Sequence, residues 1–201
     1  MNILLSGADR MKPAERRLIE RAVRAALGPR GRRRGELCVI LIDDRGIRRI
    51  NKRFLGRDSV TDVISFPYTD DRPKQTRARS GGGRSRMKDS PPQFIAPPRG
   101  GGADMPFGDI FIARGAARRQ ARAMGHSPLT EILTLAVHGA LHLVGYDHRR
   151  PADARRMLAR QERIVRRLSP DPASTPAGAP CRTPSGKASA AGAAHGKKKK
   201  T

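Results

Sequence analysis

Residues 129–148 read LTEILTLAVHGALHLVGYDH and contain three of the five histidines of the chain. The apolar density of this stretch up to Gly145 predicts a buried helix. Because residues i and i+4 lie one turn apart on the same helix face, His138 and His142 can bind one ion together. Gly145 is expected to end the helix and to turn the backbone, so that His148 becomes a third ligand.

The pattern H-x3-H-x5-H predicts a metal site. A single histidine on an apolar helix is more often a hydrogen-bonded core residue, but packing does not explain three histidines within eleven residues around a helix-ending glycine. Three neutral imidazoles on one side of a zinc ion leave the fourth position to water, which is the catalytic arrangement. Imidazole also suits iron, nickel and copper, so the ligands alone leave the ion open.

The same spacing occurs in zinc proteases with the pattern H-E-x-x-H-x-x-G-x-x-H. In those enzymes the glutamate after the first histidine is the general base that activates the metal-bound water. Here that position is Gly139, which has no side chain to accept a proton. The sequence therefore disfavours proteolysis by that route.

Two segments depart from a globular composition. Residues 69–103 and 169–201 are rich in Gly, Pro, Ser, Ala and Arg or Lys and poor in apolar residues, so both are predicted to be disordered. The first is too long for an ordinary loop. Without them about 133 residues remain, enough for one compact core. We therefore predict one domain over residues 1–168, interrupted by an insertion at 69–103 and followed by a basic tail at 169–201.

Positive charge dominates the chain, which has 42 Lys and Arg against 18 Asp and Glu and a formal net charge of +24. The predicted insertion and the predicted tail contribute +5 each, and the remaining core keeps 28 basic against 14 acidic residues. Because the excess is not confined to the two segments, a polyanionic partner, above all nucleic acid, is expected. A coding bias toward Arg and Ala is the competing explanation.

Cys38 and Cys181 have no nearby partner in the sequence, so no disulfide framework is expected and a reducing compartment fits. Residues 1–5 are too short to form the core of a signal peptide, and no apolar run is long enough to span a membrane. The sequence thus predicts a soluble, cytoplasmic protein with no membrane partner.

Predicted strands alternate with predicted helices along the core. The predicted strands are residues 2–6 (an edge strand), 36–43, 63–66 and 109–113. The predicted helices begin at Pro13 and at Asp43 or Asp44, and then cover 116–124, 128–144 and 152–168. The last helix has Met157, Leu158, Ile164 and Val165 on its inward face. This alternation predicts an α/β or α+β fold around one small sheet.

Several polar residues near the predicted strands are candidate site residues. Thr61, Asp62 and Ser65 lie beside an apolar strand, although hydrogen bonding in a turn or cap is the commoner role for Thr61 and Asp62. Asp109 opens a strand, where it could support a metal-binding histidine or could be a turn residue. Asp147 adjoins His148 and could orient an imidazole or act on a bound water.

Arg53 and Arg57 are candidate phosphate contacts because they lie near this cluster in the sequence. Most arginines in so basic a chain are simply solvated, which is the competing interpretation for both.

At this point the residues resemble a known family. The run His-Gly-x-Leu-His-Leu-x-Gly-Tyr-Asp-His at 138–148 is preceded by Thr-Asp-Val-Ile-Ser-Phe-Pro at 61–67 and by Gly-Asp-Ile at 108–110. This set of motifs, in this order, resembles the bacterial YbeY-type rRNA maturation factors. The likeness covers roughly residues 1–68 and 104–168.

The resemblance implies a metal-dependent, single-strand-specific endoribonuclease that acts in 16S rRNA 3′-end maturation and ribosome quality control. It implies an α+β fold, with a small mixed sheet packed by helices around a central metal-binding helix. It also implies one zinc ion per chain, held by His138, His142 and His148. The implied partners are single-stranded RNA, 16S rRNA and ribosomal particles, with no DNA specificity.

One position departs from the family pattern. Many members have an arginine directly after the aromatic residue of an Asn-x-x-aromatic-Arg segment, and that arginine is thought to bind the RNA backbone. Here the segment from Asn51 to Phe54 is followed by Leu55, so the residue does not transfer. Arg53 or Arg57 is the candidate to supply the charge instead.

The leading hypothesis is therefore phosphodiester hydrolysis on single-stranded RNA, with His138 and Asp147 as catalytic residues. One alternative is a non-catalytic, zinc-containing ribosome-assembly protein that binds rRNA. Another is a metallohydrolase that acts on a peptide, against which Gly139 and the basic surface count.

Overall fold

The computed structural model describes residues 1–32, 35–68, 106–148 and 150–171. The predicted insertion at 69–103 lies outside the described residues, and so does the predicted tail after its first three residues.

The described residues form four strands, five α-helices and a short 3₁₀ helix at Gly28–Arg32. The strands are β1 (Asn2–Ser6), β2 (Glu36–Ile42), β3 (Val63–Pro67) and β4 (Pro106–Ala113). The helices are α1 (Pro13–Leu27), α2 (Asp44–Leu55), α3 (Arg114–Met124), α4 (Pro128–Leu143) and α5 (Pro151–Leu168).

The four strands form one mixed sheet in the order β1-β2-β4-β3. The β1–β2 and β2–β4 pairs are parallel, whereas β3 runs antiparallel to β4. The predicted α+β fold, with a small mixed sheet packed by helices, is thereby confirmed. β1 is an edge strand, as predicted, while β4 begins at Pro106 rather than at Asp109 because its pairing with β2 extends that far.

Helices cover both faces of the sheet because successive side chains of a strand point to opposite sides. One face packs against α1, α4 and α5 and carries Val39, Ile110 and Ile112. The other face packs against α2 and carries Ile40 and Phe111. Helix α4 is the most enclosed of the helices described, since ten of its sixteen residues are buried. The sheet thus separates α4 from α2.

Asp43, rather than Asp44, caps α2: its side chain accepts a hydrogen bond from the Gly46 amide at 2.7 Å. One predicted core residue is wrong. Leu158 of α5 was expected to point inward, but its side chain is 40% exposed, whereas Met157 and Val165 are buried. Ile164 is partly buried and packs against the core, as predicted. The inward face of α5 thus comprises Met157, Gln161, Ile164 and Val165, and Leu158 lies outside it.

The chain after α5 returns to the start of α4. Ser127 is the N-cap of α4, and its hydroxyl oxygen accepts from the Thr130 amide at 3.2 Å. The Asp171 carboxylate accepts from the Ser127 amide at 2.8 Å and from the Thr130 hydroxyl at 2.7 Å. A negative charge at this place also interacts favourably with the dipole of the helix. The first residues beyond α5 therefore fasten the helix that carries His138 and His142.

Replacing Asp171 by alanine should lower the melting temperature, because two donors at the start of α4 lose a charged acceptor. The hydrogen bond from Thr130, followed by those from Ser127, holds the pKa of Asp171 below its ordinary value. The stabilisation is therefore present above the ordinary pKa of an aspartate and disappears as the pH falls through the lower folded-state value. Circular-dichroism melts across a pH series should show the two proteins converging in acid.

Asp9→Ala is the matched control, because Asp9 is exposed and lies far along the chain from α4. It should melt like the parent throughout the pH series. Identical melting of the parent and Asp171→Ala at neutral pH would contradict the capping role.

Candidate metal centre

The structure brings His138, His142 and His148 together at the end of α4. His138 and His142 lie one turn apart on the helix, and their ring centroids are 4.7 Å apart. Helix α4 ends at Leu143, and Gly145 has φ = +91°, which lets the backbone reverse. One ring nitrogen from each of the three imidazoles lies within 4.8 Å of the others. The three side chains can therefore face one ion.

The turn that carries His148 is held by side chains from distant parts of the chain. Arg30 donates to the Val144 carbonyl at 2.9 Å, and the Arg160 guanidinium lies 5.5 Å from the centre of the Tyr146 ring. Within the turn, the Asp147 carboxylate accepts from the backbone amide of His148 at 2.7 Å. These contacts fix where the third imidazole leaves the main chain.

Hydrogen bonds fix which nitrogen of each helical histidine is protonated. The His142 Nδ1–H donates to the Tyr146 carbonyl oxygen at 3.0 Å, and that oxygen can only accept. The His138 Nδ1–H donates to Gln161 Oε1 at 2.9 Å. Because a neutral imidazole has one proton, each Nε2 is left with a lone pair. Metal-binding histidines are oriented by such Nδ1 partners in the same way.

The two Nε2 atoms lie 3.1 Å apart and face each other. With both protons on Nδ1, neither Nε2 has a hydrogen to donate. The two lone pairs therefore face each other at this distance without a hydrogen bond between them. A cation resolves the repulsion. Two nitrogens bound tetrahedrally to a metal ion at the bond length usual for zinc lie about 3.3 Å apart, so the spacing of these two atoms fits a metal ion of that size.

Burial favours the neutral, metal-binding form of both imidazoles. Burial, followed by the neighbouring His138 and His148, lowers the pKa of His142 to about 4. Burial is also the largest cause that lowers the pKa of His138. Both rings are thus neutral near pH 7, and binding a metal requires no displacement of protons from them.

Gly139 faces the sheet and not the three histidines. A β-carbon at this position would lie 2.7 Å from Ile110 Cγ2 and 2.7 Å from Ser65 Oγ. The glutamate that follows the first histidine in zinc proteases therefore has no space here. Ser65 contributes to the surface against which α4 packs, and this contact is the role that the structure gives it.

Asp62 and Thr61 form a hydrogen-bonded turn before β3. The Asp62 carboxylate accepts from the Val63 amide at 2.8 Å, from the Thr61 hydroxyl at 3.2 Å and from Gln120 at 2.9 Å. Its negative charge also acts to raise the pKa of His138. The structure therefore places Asp62 within electrostatic range of the histidines, with its hydrogen bonds made elsewhere.

Asp109 is not brought to the histidines. It alternates with Ile110 along β4 and so points to the α2 face, where its carboxylate accepts from the Tyr68 hydroxyl at 2.6 Å. Burial is the largest cause that raises the pKa of Asp109. The support for which the sequence offered Asp109 as one candidate comes instead from Gln161 and from the Tyr146 carbonyl.

Gln161 was missed at the sequence level, although a signal was present. It lies four residues after Met157 and four before Val165, so it is a polar residue within the buried row of α5. A polar side chain in such a row needs a partner inside the fold, and His138 is that partner.

The two candidate phosphate contacts are not part of the histidine cluster. Arg53 lies on α2, on the other side of the sheet, and its guanidinium is 5.4 Å from the centre of the Phe54 ring. Arg57 follows α2; its backbone amide donates to the Asn51 carbonyl at 3.2 Å, and its side chain is exposed.

Among the helices of the described ranges, none combines the length and apolarity needed to cross a membrane.

Fold and site together define a class of protein: an α+β fold that brings three histidines together at the end of a buried helix, in an arrangement that could hold one metal ion. A family model described as Endoribonuclease YbeY matches residues 7–169. A relative described as Endoribonuclease YbeY from Elusimicrobium minutum is 36% identical over 151 residues, covering 75% of this chain and 87% of the relative. A relative of the same description from Geobacillus kaustophilus is 35% identical over 163 residues, covering 80% and 88%. The chain therefore belongs to the endoribonuclease YbeY family.

A solved structure supports the fold. The solution structure of a protein from Thermotoga maritima is 22% identical, with a TM-score of 0.50, and the match covers 88% of this chain and 99% of that chain.

Changing Gln161 tests whether its bond to His138 prepares the ring for a metal. Gln161→Leu removes the acceptor for Nδ1–H and should weaken zinc affinity by about 10- to 100-fold, as is usual for such partners. Gln161→Glu keeps an acceptor oxygen and should retain the affinity. Competition against a chromophoric chelator measures both, and circular dichroism checks the fold. Equal affinity in the two variants would show that the bond does not orient His138.

Proposed function

We propose that this protein is a zinc-dependent endoribonuclease that cleaves single-stranded RNA, with the ion held by His138, His142 and His148. The observation that carries the proposal is the convergence of the three imidazoles, two of which direct Nε2 lone pairs at each other across 3.1 Å. The relatives described as endoribonucleases and the basic core support RNA as the substrate.

A zinc ion at this place supplies a Lewis acid that activates water and stabilises negative charge on a phosphodiester. The protein prepares the place by holding both helical imidazoles neutral, with their protons directed at Gln161 and at the Tyr146 carbonyl. Because Gly139 excludes a side chain from the position after His138, the general base has to come from another element. We assign that role to Asp147, the carboxylate in the turn that carries His148.

Positive charge attracts and holds the substrate in this proposal. Guanidinium and ammonium groups bind phosphates irrespective of base sequence, which gives salt-dependent affinity. Arg53 and Arg57 are proposed phosphate contacts, and the predicted insertion and tail add non-specific attraction. The proposed setting is the cytoplasm, where the enzyme acts on 16S rRNA and ribosomal particles during 3′-end maturation and quality control, without DNA specificity.

His138→Ala and His142→Ala test the metal-dependent activity. Each variant of the full chain should lose bound zinc and RNA cleavage while staying folded, because each removes one of three ligands. Metal analysis, a single-stranded RNA cleavage assay with and without chelator, and circular dichroism measure the three properties. His126→Gln is the control: His126 pairs with Glu131 at 3.1 Å outside the cluster, so this variant should keep zinc and activity.

Two results would contradict the proposal. Cleavage retained in both alanine variants would locate the activity elsewhere. A parent protein that binds rRNA and zinc, cuts no RNA and loses only stability on chelation would instead be a non-catalytic ribosome-assembly protein.

Asp147 can be tested with a pair of variants. Asp147→Asn keeps an oxygen that accepts from the His148 amide but cannot take a proton, whereas Asp147→Ala loses both properties. If Asp147 is the general base, both variants should lose about 10²- to 10⁴-fold in kcat, while Asp147→Asn keeps its zinc. Full activity of Asp147→Asn would show that Asp147 is not the general base and that its role is the hydrogen bond to the His148 amide within the turn.

A further inference from the structure

A groove of about 420 Å³ lies beside α2, on the face of the sheet opposite the three histidines. Its floor is apolar and includes Ile50 and Phe111, while three arginines border it: Arg49, Arg53 and Arg114. Helix α2 packs on the side of the sheet that carries Phe111, and α4 packs on the side that carries Ile110. The groove is therefore separated from the candidate metal centre by the sheet.

Four of the five basic residues of α2 form two rows that differ in their partners. Arg48 and Lys52, four residues apart, both pair with Asp58, at 2.7 Å and 3.0 Å. Arg49 and Arg53 form the neighbouring row, which borders the groove. Within the described parts of the chain, neither has a carboxylate partner. One row of α2 is thus partly neutralised, since two cations share one carboxylate, whereas the row at the groove keeps the charge of both arginines.

The charges around the groove favour an anion. Arg114 is half-buried and donates to the Gly7 carbonyl at 3.4 Å, which holds its guanidinium at the border without neutralising it. Among the residues that the structure describes, Asp43 is the only carboxylate that lines the groove, and it is hydrogen-bonded to the Gly46 amide. Three guanidinium groups therefore stand against one carboxylate.

The groove also has a flat apolar side. Phe54 lines it, its ring packs edge-on against Phe66 with centroids 5.4 Å apart, and the Arg53 guanidinium lies near the Phe54 ring. Aromatic rings and guanidinium planes are the surfaces on which unpaired bases stack. An acidic peptide would use the charges but leave the apolar floor without a partner. A nucleotide uses both.

We propose that this groove is a second RNA-binding site that holds single-stranded RNA away from the bond being cleaved. Arg49, Arg53 and Arg114 bind phosphates, and a base packs against Phe54 and the apolar floor. The proposal rests on the proposed function, because it takes RNA as the substrate. Binding at such a site strengthens the complex before and during the reaction alike, so it acts on KM and not on kcat.

The two rows of α2 provide a matched test in the full chain. Arg49→Gln/Arg53→Gln removes two charges at the groove, and Arg48→Gln/Lys52→Gln removes the same charge from the paired row. Fluorescence anisotropy with a single-stranded RNA of about twenty nucleotides, over a salt series, measures binding independently of cleavage. Steady-state cleavage then gives KM and kcat, and thermal melts and metal analysis check both variants.

The groove variant should bind RNA about tenfold more weakly, as expected for two lost charge contacts. Its salt slope should be shallower by about 1.4, the value for two phosphate contacts on single strands. KM should rise with kcat unchanged, and the paired-row variant should resemble the parent.

Three results would overturn the proposal. Equal weakening in both double variants would mean that RNA senses only total charge. Unchanged binding in the groove variant would leave the groove without an RNA role. Polyglutamate that binds the parent as tightly as RNA, and loses as much affinity in the groove variant, would assign the groove to acidic peptides. A parent that cleaves no RNA, while the anisotropy difference persists, would refute the proposed function and leave this site standing.

Discussion

The close approach of α4 to the sheet at Gly139 is the constraint on which the site depends. Glycine lets the helix lie against Ile110 and Ser65, where a β-carbon would come within 2.7 Å of both side chains. This contact determines which face of α4 is turned away from the sheet and thus where His138 and His142 point. Gly139 therefore has two effects. It lets α4 pack closely against the sheet, and it leaves no glutamate at this position to act as a base.

Burial of the two helical histidines would be costly if their hydrogen-bonding groups were unpaired. The structure satisfies each Nδ1–H with an oxygen acceptor, from Gln161 and from the Tyr146 carbonyl. That leaves the Nε2 atoms, which are matched to a cation but not to each other. Burial lowers the pKa values of both rings and so disfavours their charged imidazolium forms. Desolvation therefore keeps the rings in the neutral form that can bind a metal.

The sequence predicted the parts of the fold that depend on local periodicity and spacing. The order and type of the elements, the helix that ends before Gly145 and the clustering of three histidines all follow from patterns within a short window. What it missed depends on contacts across the chain. Asp109 looked like a neighbour of the histidines but alternates onto the other face, and Gln161 belongs to a helix whose docking onto α4 no local pattern specifies. Leu158 is a smaller error of the same kind. Helical spacing predicts which side of α5 is buried, but it does not decide whether a residue at the border of that side is covered.

The distribution of charge is as informative as its amount. Although the core has twice as many basic as acidic residues, several basic side chains are paired with carboxylates nearby, as Arg48 and Lys52 are with Asp58 and Arg119 is with Asp44. A count of arginines therefore overstates the surface that attracts an anion. Basic residues without such partners are the ones that attract an anion. On α2 these include Arg49 and Arg53, which lie along one row beside the apolar floor of the groove. Net charge predicts the class of partner, whereas local pairing determines where that partner is held.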